Sequence, residues 1–268
     1  RAVCRVAAFL FVVLALCRPE LGTEPVSVEA MGIDIIVALD TSRSMLADDL
    51  LPTRLDAAKR EIVELVSRLH GDRIGLVAFA GSAFPVCPLT LDYDAFIQVL
   101  TESGSNTIPR GGTDFSALTK EVVNAFAGTE PRSRLLLLVS DGEDHGSFDS
   151  NSPGQLLESG ITICSVTAGS EAGGIIPLHD GDFLKDKSGN IVQSRANPSI
   201  LNSFSNRNIM LGSDVGKVAG LYDEVRPLMQ QRSIKNRQQR YKEYFQLPLA
   251  AALLLLVAEA FLACRIRA

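Results

Sequence analysis

Tryptophan is absent from the 268 residues, and tyrosine and phenylalanine number only four and twelve. That scarcity argues against an aromatic platform for stacking bases. Positive charge is not in excess either. The formal net charge of -5 gives no general case for nucleic acid. The five cysteines, Cys4, Cys17, Cys87, Cys164 and Cys264, include no pair with metal-site spacing. Three lie in or beside the apolar ends, and Cys87 and Cys164 read as buried thiols unless the fold brings them together. His70, His145 and His179 are scattered and form no recognisable zinc set or catalytic histidine site. Gly111-Gly112-Thr113 lacks the Gly-Lys-Ser/Thr of a phosphate-binding loop, which argues against nucleotide hydrolysis. Nothing repeats at a fixed period.

What is present is a series of short apolar runs, each ending in oxygen-bearing side chains. Ile33 to Leu39 reads as a buried parallel strand with Asp34 its only charge, and it ends in Asp40-Thr41-Ser42-Arg43-Ser44. Thr53 and Asp56 have capping-box spacing, and Leu55, Ala58, Ile62, Leu65, Val66 and Leu69 then recur at helical intervals. Arg73 to Ala80 is the next central strand. Ala83 to Leu89, with Pro85 and Pro88, is restricted to an edge. Asp92 to Leu100 reads as a short helix. The loop Pro109-Arg110-Gly111-Gly112-Thr113-Asp114 precedes another, carrying Leu118, Val122, Val123 and Phe126.

Arg134 to Val139 is a strand of four leucines and a valine, ending in Ser140-Asp141-Gly142-Glu143-Asp144. Pro153 to Ser159 reads as a helix and Ile161 to Val166 as a strand. A hairpin insertion near 175–195 turns around Lys187 to Asn190. Pro198 to Phe204 is a helix, and Val218 to Met229 another that is interrupted or ended near Pro227. Alternating strands and helices imply an α/β fold: a doubly wound, mainly parallel sheet with helices on both faces.

The two ends read as membrane helices. Leu247 to Cys264 is apolar but for Glu259, near the length needed to cross a bilayer. Val6 to Cys17 is apolar between Arg5 and Arg18 and has no well-placed small-residue cleavage site, so it reads as a membrane helix whose first residues are missing. The expected organisation is a truncated membrane helix over 1–18, a connector over 19–30, and a globular domain over 31–230. A basic juxtamembrane segment over 231–245 and a second membrane helix over 246–264 follow. That places the protein in a cell membrane as a multi-pass chain. Arg1, Arg5, Arg265 and Arg267 put the ends in the cytoplasm, whereas Lys235, Arg237, Arg240 and Lys242 argue the reverse, so the side is open. The same four basic residues could touch lipid headgroups.

Ligands in open α/β sheets sit outside the carboxyl ends of the strands. There, Asp40, Ser42, Ser44, Thr113 and Asp141 can converge from three loops. Such oxygen-rich donors suit a hard divalent cation, and a site built largely from neutral hydroxyls leaves that ion undercharged. It can then take an anionic oxygen from a partner carboxylate. Gly111 and Gly112 let the backbone turn tightly. Asp114, Glu143 and Asp144 would add negative potential without being ligands. Asp48 and Asp49 would face solvent, and Arg43 and Arg110 would meet water or an acidic partner.

These residues resemble a von Willebrand factor type A domain with a metal-ion-dependent adhesion site. The Asp-x-Ser-x-Ser element stands as Asp40-Thr41-Ser42-Arg43-Ser44, the threonine loop as Gly111-Gly112-Thr113-Asp114, and the last aspartate as Asp141. The resemblance implies Mg²⁺, with Mn²⁺ or Ca²⁺ as alternatives, touched directly by Ser42, Ser44 and Thr113. Asp40 and Asp141 would act directly or through water. Arg18-Pro19, the hairpin near Gly189, Tyr222-Asp223-Glu224-Val225 and the final apolar run resemble the membrane-anchored bacterial BatA/BatB-like, aerotolerance-related subgroup. That subgroup implies protein partners, among them a MoxR-type AAA+ ATPase, and the expected function is assembly or regulation of a protein complex, not chemistry. A metal-dependent hydrolase would need a second metal or a general base beside the site. A purely structural metal is the other alternative.

Overall fold

The computed structural model describes residues 2–17, 20–23, 32–128, 132–143, 151–178, 182–186, 188–205, 207–212, 215–237, 241–243 and 245–265. Arg1, Arg18, Pro19, most of the 19–30 connector, Asp144, His145, His179, Lys187, Arg240 and Arg267 lie outside them. The chain divides into two compact units, one of Arg1–Glu29 with Ile234–Ala268, the other of Ala30–Ser233.

In the first unit, helix α1 (Ala2–Leu16) is followed by strand β1 (Glu20–Thr23). In the second, β2 (Asp34–Asp40) leads through a 3-10 turn at Arg43–Leu46 to α2 (Arg54–Ser67), β3 (Arg73–Phe79), β4 (Ala83–Thr90) and α3 (Tyr93–Glu102). Then come α4 (Phe115–Ala125), β5 (Arg134–Ser140), α5 (Ser152–Glu158) and β6 (Ile161–Thr167). The short β7 (Gly174–Ile175) and β8 (Gln193–Ser194), α6 (Pro198–Phe204), β9 (Asn208–Met210) and α7 (Lys217–Arg237) complete that part of the chain. Strand β10 (Tyr241–Glu243), which pairs antiparallel with β1, and α8 (Gln246–Arg265) belong to the first unit, where α1 packs against α8.

The apolar runs form one six-stranded sheet in the order β4-β3-β2-β5-β6-β9. It is mixed: β4 runs antiparallel at one edge and the other pairings are parallel. Pro85 and Pro88 explain the edge position of β4, since neither has an N–H to donate to a ladder. Alternation along β2 shows why its sequence is apolar at every step. Ile35, Val37 and Leu39 join a buried cluster with Leu55 and Ile62 of α2 and Tyr222 and Val225 of α7. Ile36 and Ala38 join the opposite cluster, with Phe115 and Val122 of α4, Leu156 of α5 and Phe204 of α6. Both faces are therefore covered. Asp34, the one charge in the run, is fully buried and bonds through both oxygens to Arg73, at 2.8 and 2.7 Å.

Several expectations are corrected. Among the described residues no helix is long and apolar enough to cross a membrane. The flanking membrane helices, the membrane anchor, the multi-pass location and the bilayer contact that rested on them are therefore not supported. The basic stretch from Arg232 is not one helix: α7 ends at Arg237, and Tyr241–Glu243 is a strand. α7 also runs through Pro227, because Val225 and Met229 on either side of the proline are both buried and hold the helix on the sheet. Cys87 and Cys164 are buried free thiols on β4 and β6, with three strands between them.

Candidate metal centre

The site begins where β2 ends. Asp40 lies beside Phe79 in register, and the Thr41 N–H donates to the Phe79 carbonyl at 2.8 Å, which carries the chain past the end of β3. The Ser42 N–H then turns back to Asp40 Oδ1 at 2.8 Å, an Asx turn that starts the 3-10 segment. This brings the Ser42 and Ser44 hydroxyls to 2.9 Å from each other. On the neighbouring strand, Val139 pairs with Leu39, so Ser140 and Asp141 leave β5 beside Asp40. The Ser140 hydroxyl donates to Asp40 Oδ2 at 2.6 Å.

Asp141 Oδ1 accepts the Glu143 N–H at 3.0 Å, and the Ser44 hydroxyl also bonds to this carboxylate. Gly142 between them has φ +72°, and a Cβ there would lie 2.1 Å from the Asn197 carbonyl, so only glycine makes this turn. The threonine loop is pinned on the other side. Gly81 N–H donates to Arg110 O at 3.1 Å, and Asp114 N–H to Ala80 O at 2.7 Å. The N-cap of α4 is Asp114, whose carboxylate accepts the Ala117 N–H at 2.9 Å. That capping role therefore does not fall to Thr113, which is buried.

The structure thus places all five expected residues at the carboxyl edge of three adjacent strands, β3, β2 and β5. Asp40 and Asp141 have no exposed surface, and Ser42 and Thr113 are nearly as buried. Burial, then the neighbouring charge of Asp141, pushes the Asp40 carboxyl up to about 7, against hydrogen bonds from Ser140 and Ser42. Burial also raises Asp141, against the Ser44 hydrogen bond. Two carboxylates that oppose each other's ionisation, lined by hydroxyls, form a donor set that fits a hard divalent cation.

The expectation of a recognisable metal-binding cluster is not met. Among the described residues, no group of three or more His, Cys, Asp or Glu is placed to hold an ion. The five residues contain two carboxylates and three hydroxyls, and such a set offers a cation less fixed charge than an acidic cluster does.

Sequence reasoning missed Arg54. Its side chain is fully buried, and its Nη1 donates to Asp141 Oδ2 at 3.0 Å. Nε and Nη2 grip Asp49 Oδ1 and Oδ2 at 2.7 and 2.9 Å. Asp49 was expected in solvent. Burial would raise its carboxyl, but Arg54 and Ser170 outweigh that and hold it below the usual range. Asp48 is also engaged, accepting the Ile175 N–H at 2.9 Å. The overlooked signal is the place of Arg54 in the first turn of α2, where the helix dipole disfavours a cation. Arg43 and Arg110 are exposed at the same edge. His70 is remote from it: it lies beyond α2, ahead of β3, with Nδ1 2.9 Å from the Arg68 carbonyl.

Residues 35–143 match the family model of the von Willebrand factor type A domain. A UPF0353 protein of Mycolicibacterium paratuberculosis is 32% identical over 152 residues, covering 53% of this chain and 46% of that protein. An uncharacterised protein of Borreliella burgdorferi is 35% identical over 96 residues, covering 35% of this chain and 28% of that protein. The chain thus spans about half the length, or less, of these curated relatives. The crystal structure of a conserved hypothetical protein BatB from Bacteroides thetaiotaomicron superposes with a TM-score of 0.65 at 27% identity, covering 78% of this chain and all of that one. An aerotolerance-related membrane protein from Bacteroides fragilis gives 0.65 at 29% identity, covering 76% of this chain and all of that one. The fold is that of a von Willebrand factor type A-like α/β domain with a mixed parallel and antiparallel sheet, a kind of domain capable of protein interaction.

Proposed function

We propose that this module binds a protein partner through a divalent cation, Mg²⁺ in the first instance and Mn²⁺ or Ca²⁺ as alternatives. Ser42, Ser44 and Thr113 supply neutral oxygens, and Asp40 and Asp141 supply the fixed negative charge. Held mainly by hydroxyls, the ion remains electrophilic and takes a carboxylate from the partner. The observation that carries this reading is the pair of fully buried carboxylates at the ends of adjacent strands, with the Ser42 and Ser44 hydroxyls 2.9 Å apart beside them. Arg54 meets the charge of Asp141, but Asp40 is buried beside that carboxylate and opposed by it, a charge that a cation would offset. The wider role in this reading is assembly or regulation of a protein complex, with a MoxR-type AAA+ ATPase, the partner implied by the subgroup resemblance of the sequence, as the candidate to test first.

The test is calorimetric titration of Mg²⁺ into the full chain, followed by capture of the candidate ATPase in Mg²⁺ and in EDTA. Asp40→Asn is the partner experiment, since it removes the charge while keeping a side chain of the same shape. Capture should fall at least tenfold, about 1.4 kcal/mol, both in EDTA and in the folded variant. Capture that is unchanged in both would leave the ion a structural role or none.

A further inference from the structure

Arg54 does more than neutralise a buried aspartate. A guanidinium has five N–H groups, and here each has an acceptor from a different part of the edge or from the same fork. Besides the Asp49 pair and Asp141, Nη1 donates to Ser194 Oγ at 2.6 Å and Nη2 to the Ser194 carbonyl at 3.0 Å. The β7–β8 sheet is closed onto the same centre from its other strand. Asp49 Oδ2 accepts the Ser170 N–H and hydroxyl at 2.7 and 3.0 Å. The Asp48 N–H donates to the Ile175 carbonyl at 3.1 Å. Asp141 joins it as well, through the Asn197 N–H to its main-chain carbonyl at 2.7 Å.

The chain makes room for this side chain. Gly169, at φ +123°, has no Cβ where one would lie 2.5 Å from Arg54 Nε. Gly174 likewise lies against Asp49, where a Cβ would come within 2.7 Å of its main-chain nitrogen. The two N–H groups of one nitrogen, Nη1, thus meet Asp141 and Ser194, so a movement of the guanidinium reaches both.

We infer that Arg54 is a positioning residue that couples the cation site to the β7–β8 sheet. This rests on the cation reading above. A cation that draws on Asp141 acts on a carboxylate already shared with Arg54, so its binding is transmitted to Ser194 through one nitrogen.

Hydrogen exchange of the full chain with and without saturating Mg²⁺ tests this, read on the peptides covering 170–176 and 193–197. Mg²⁺ should slow exchange there roughly tenfold in the natural protein, within the range usual for coupled sites. Arg54→Lys keeps the charge but loses the fork. It should still bind Mg²⁺ by calorimetry while the Mg²⁺-dependent slowing disappears. A merely structural arginine would change exchange equally with and without Mg²⁺. Should Arg54→Lys not fold, Ser194→Ala decides, because it removes one acceptor and leaves the Arg54–Asp49 pair intact: a reduced Mg²⁺ effect supports the coupling, and an unchanged one overturns it. Slowing of natural size in folded Arg54→Lys, or none in the natural protein with Mg²⁺ bound, overturns the coupling alone. No Mg²⁺ binding by the natural protein removes the cation reading and this inference together.

Discussion

Asp40 is where the demands of the fold and of the site conflict. Its two oxygens accept the Ser42 N–H and the Ser140 hydroxyl, bonds that suit a carboxylate. Burial and the charge of Asp141 nevertheless raise it to about 7. The folded state therefore holds this proton more tightly than the unfolded chain, whose aspartates titrate near 3.9. Below about pH 4 both states are protonated and Asp40 costs nothing. Between there and pH 7 the unfolded state ionises first, so stability falls as pH rises. Above pH 7 the cost is complete, on the order of 4 kcal/mol. Urea unfolding in EDTA should show Asp40→Asn gaining on the natural protein from pH 4 to a plateau above pH 7, and saturating Mg²⁺ should reverse that advantage. A difference that is flat across this range would mean that Asp40 is not desolvated as described. The five candidate ligands were legible because each ends an apolar strand or opens a helix. Arg54 and Asp49 were not, because a charged pair at the two ends of a connection into a helix looks solvated until the chain folds over it.

At the scale of elements, burial on both faces made the central strands readable. Ile33 to Leu39 and Arg134 to Val139 could be nothing shorter or more polar and still separate two clusters. The three-residue β9 was not legible, since it pairs along only Ser165 to Thr167 and has no run of its own. Nor was the passage of α7 through Pro227, where tertiary burial overrides a local breaker. The start of α7 depends on a distant residue in the same way. Glu61 of α2, itself buried, accepts the Gly216 and Val218 N–H groups through its two oxygens, both at 3.0 Å. These are orphan donors at a helix N-terminus, met by a charge the helix dipole favours. Glu61→Ala should cost about 2–3 kcal/mol in urea unfolding, because a buried N–H is left without its charged acceptor. Glu61→Gln should recover part of the loss by restoring one acceptor. A cost below about 0.5 kcal/mol for the alanine variant would show that water replaces the carboxylate.

For the molecule as a whole, the question is whether the candidate site needs the first unit. Every residue of the two main core clusters lies between Ile33 and Met229. The candidate ligands, Arg54 and the β7–β8 sheet fall within the same span, inside Ala30–Ser233. Cutting after Ser233 removes the last residues of α7, beyond Met229, whose carbonyl accepts the Ser133 hydroxyl. The physical expectation is that a 30–233 fragment keeps its cooperative unfolding. Its midpoint should lie within about 4 °C of the corresponding transition in the full chain, the shift expected for roughly 1 kcal/mol at this size. Its Mg²⁺ affinity should be unchanged, since no ligand is lost. Thermal unfolding by circular dichroism and Mg²⁺ calorimetry measure the two quantities separately. A fragment that unfolds without cooperativity would show that the first unit supports the fold. A cooperative fragment that has lost Mg²⁺ would place part of the cation site outside residues 30–233, against the hydroxyl and carboxylate set assigned here.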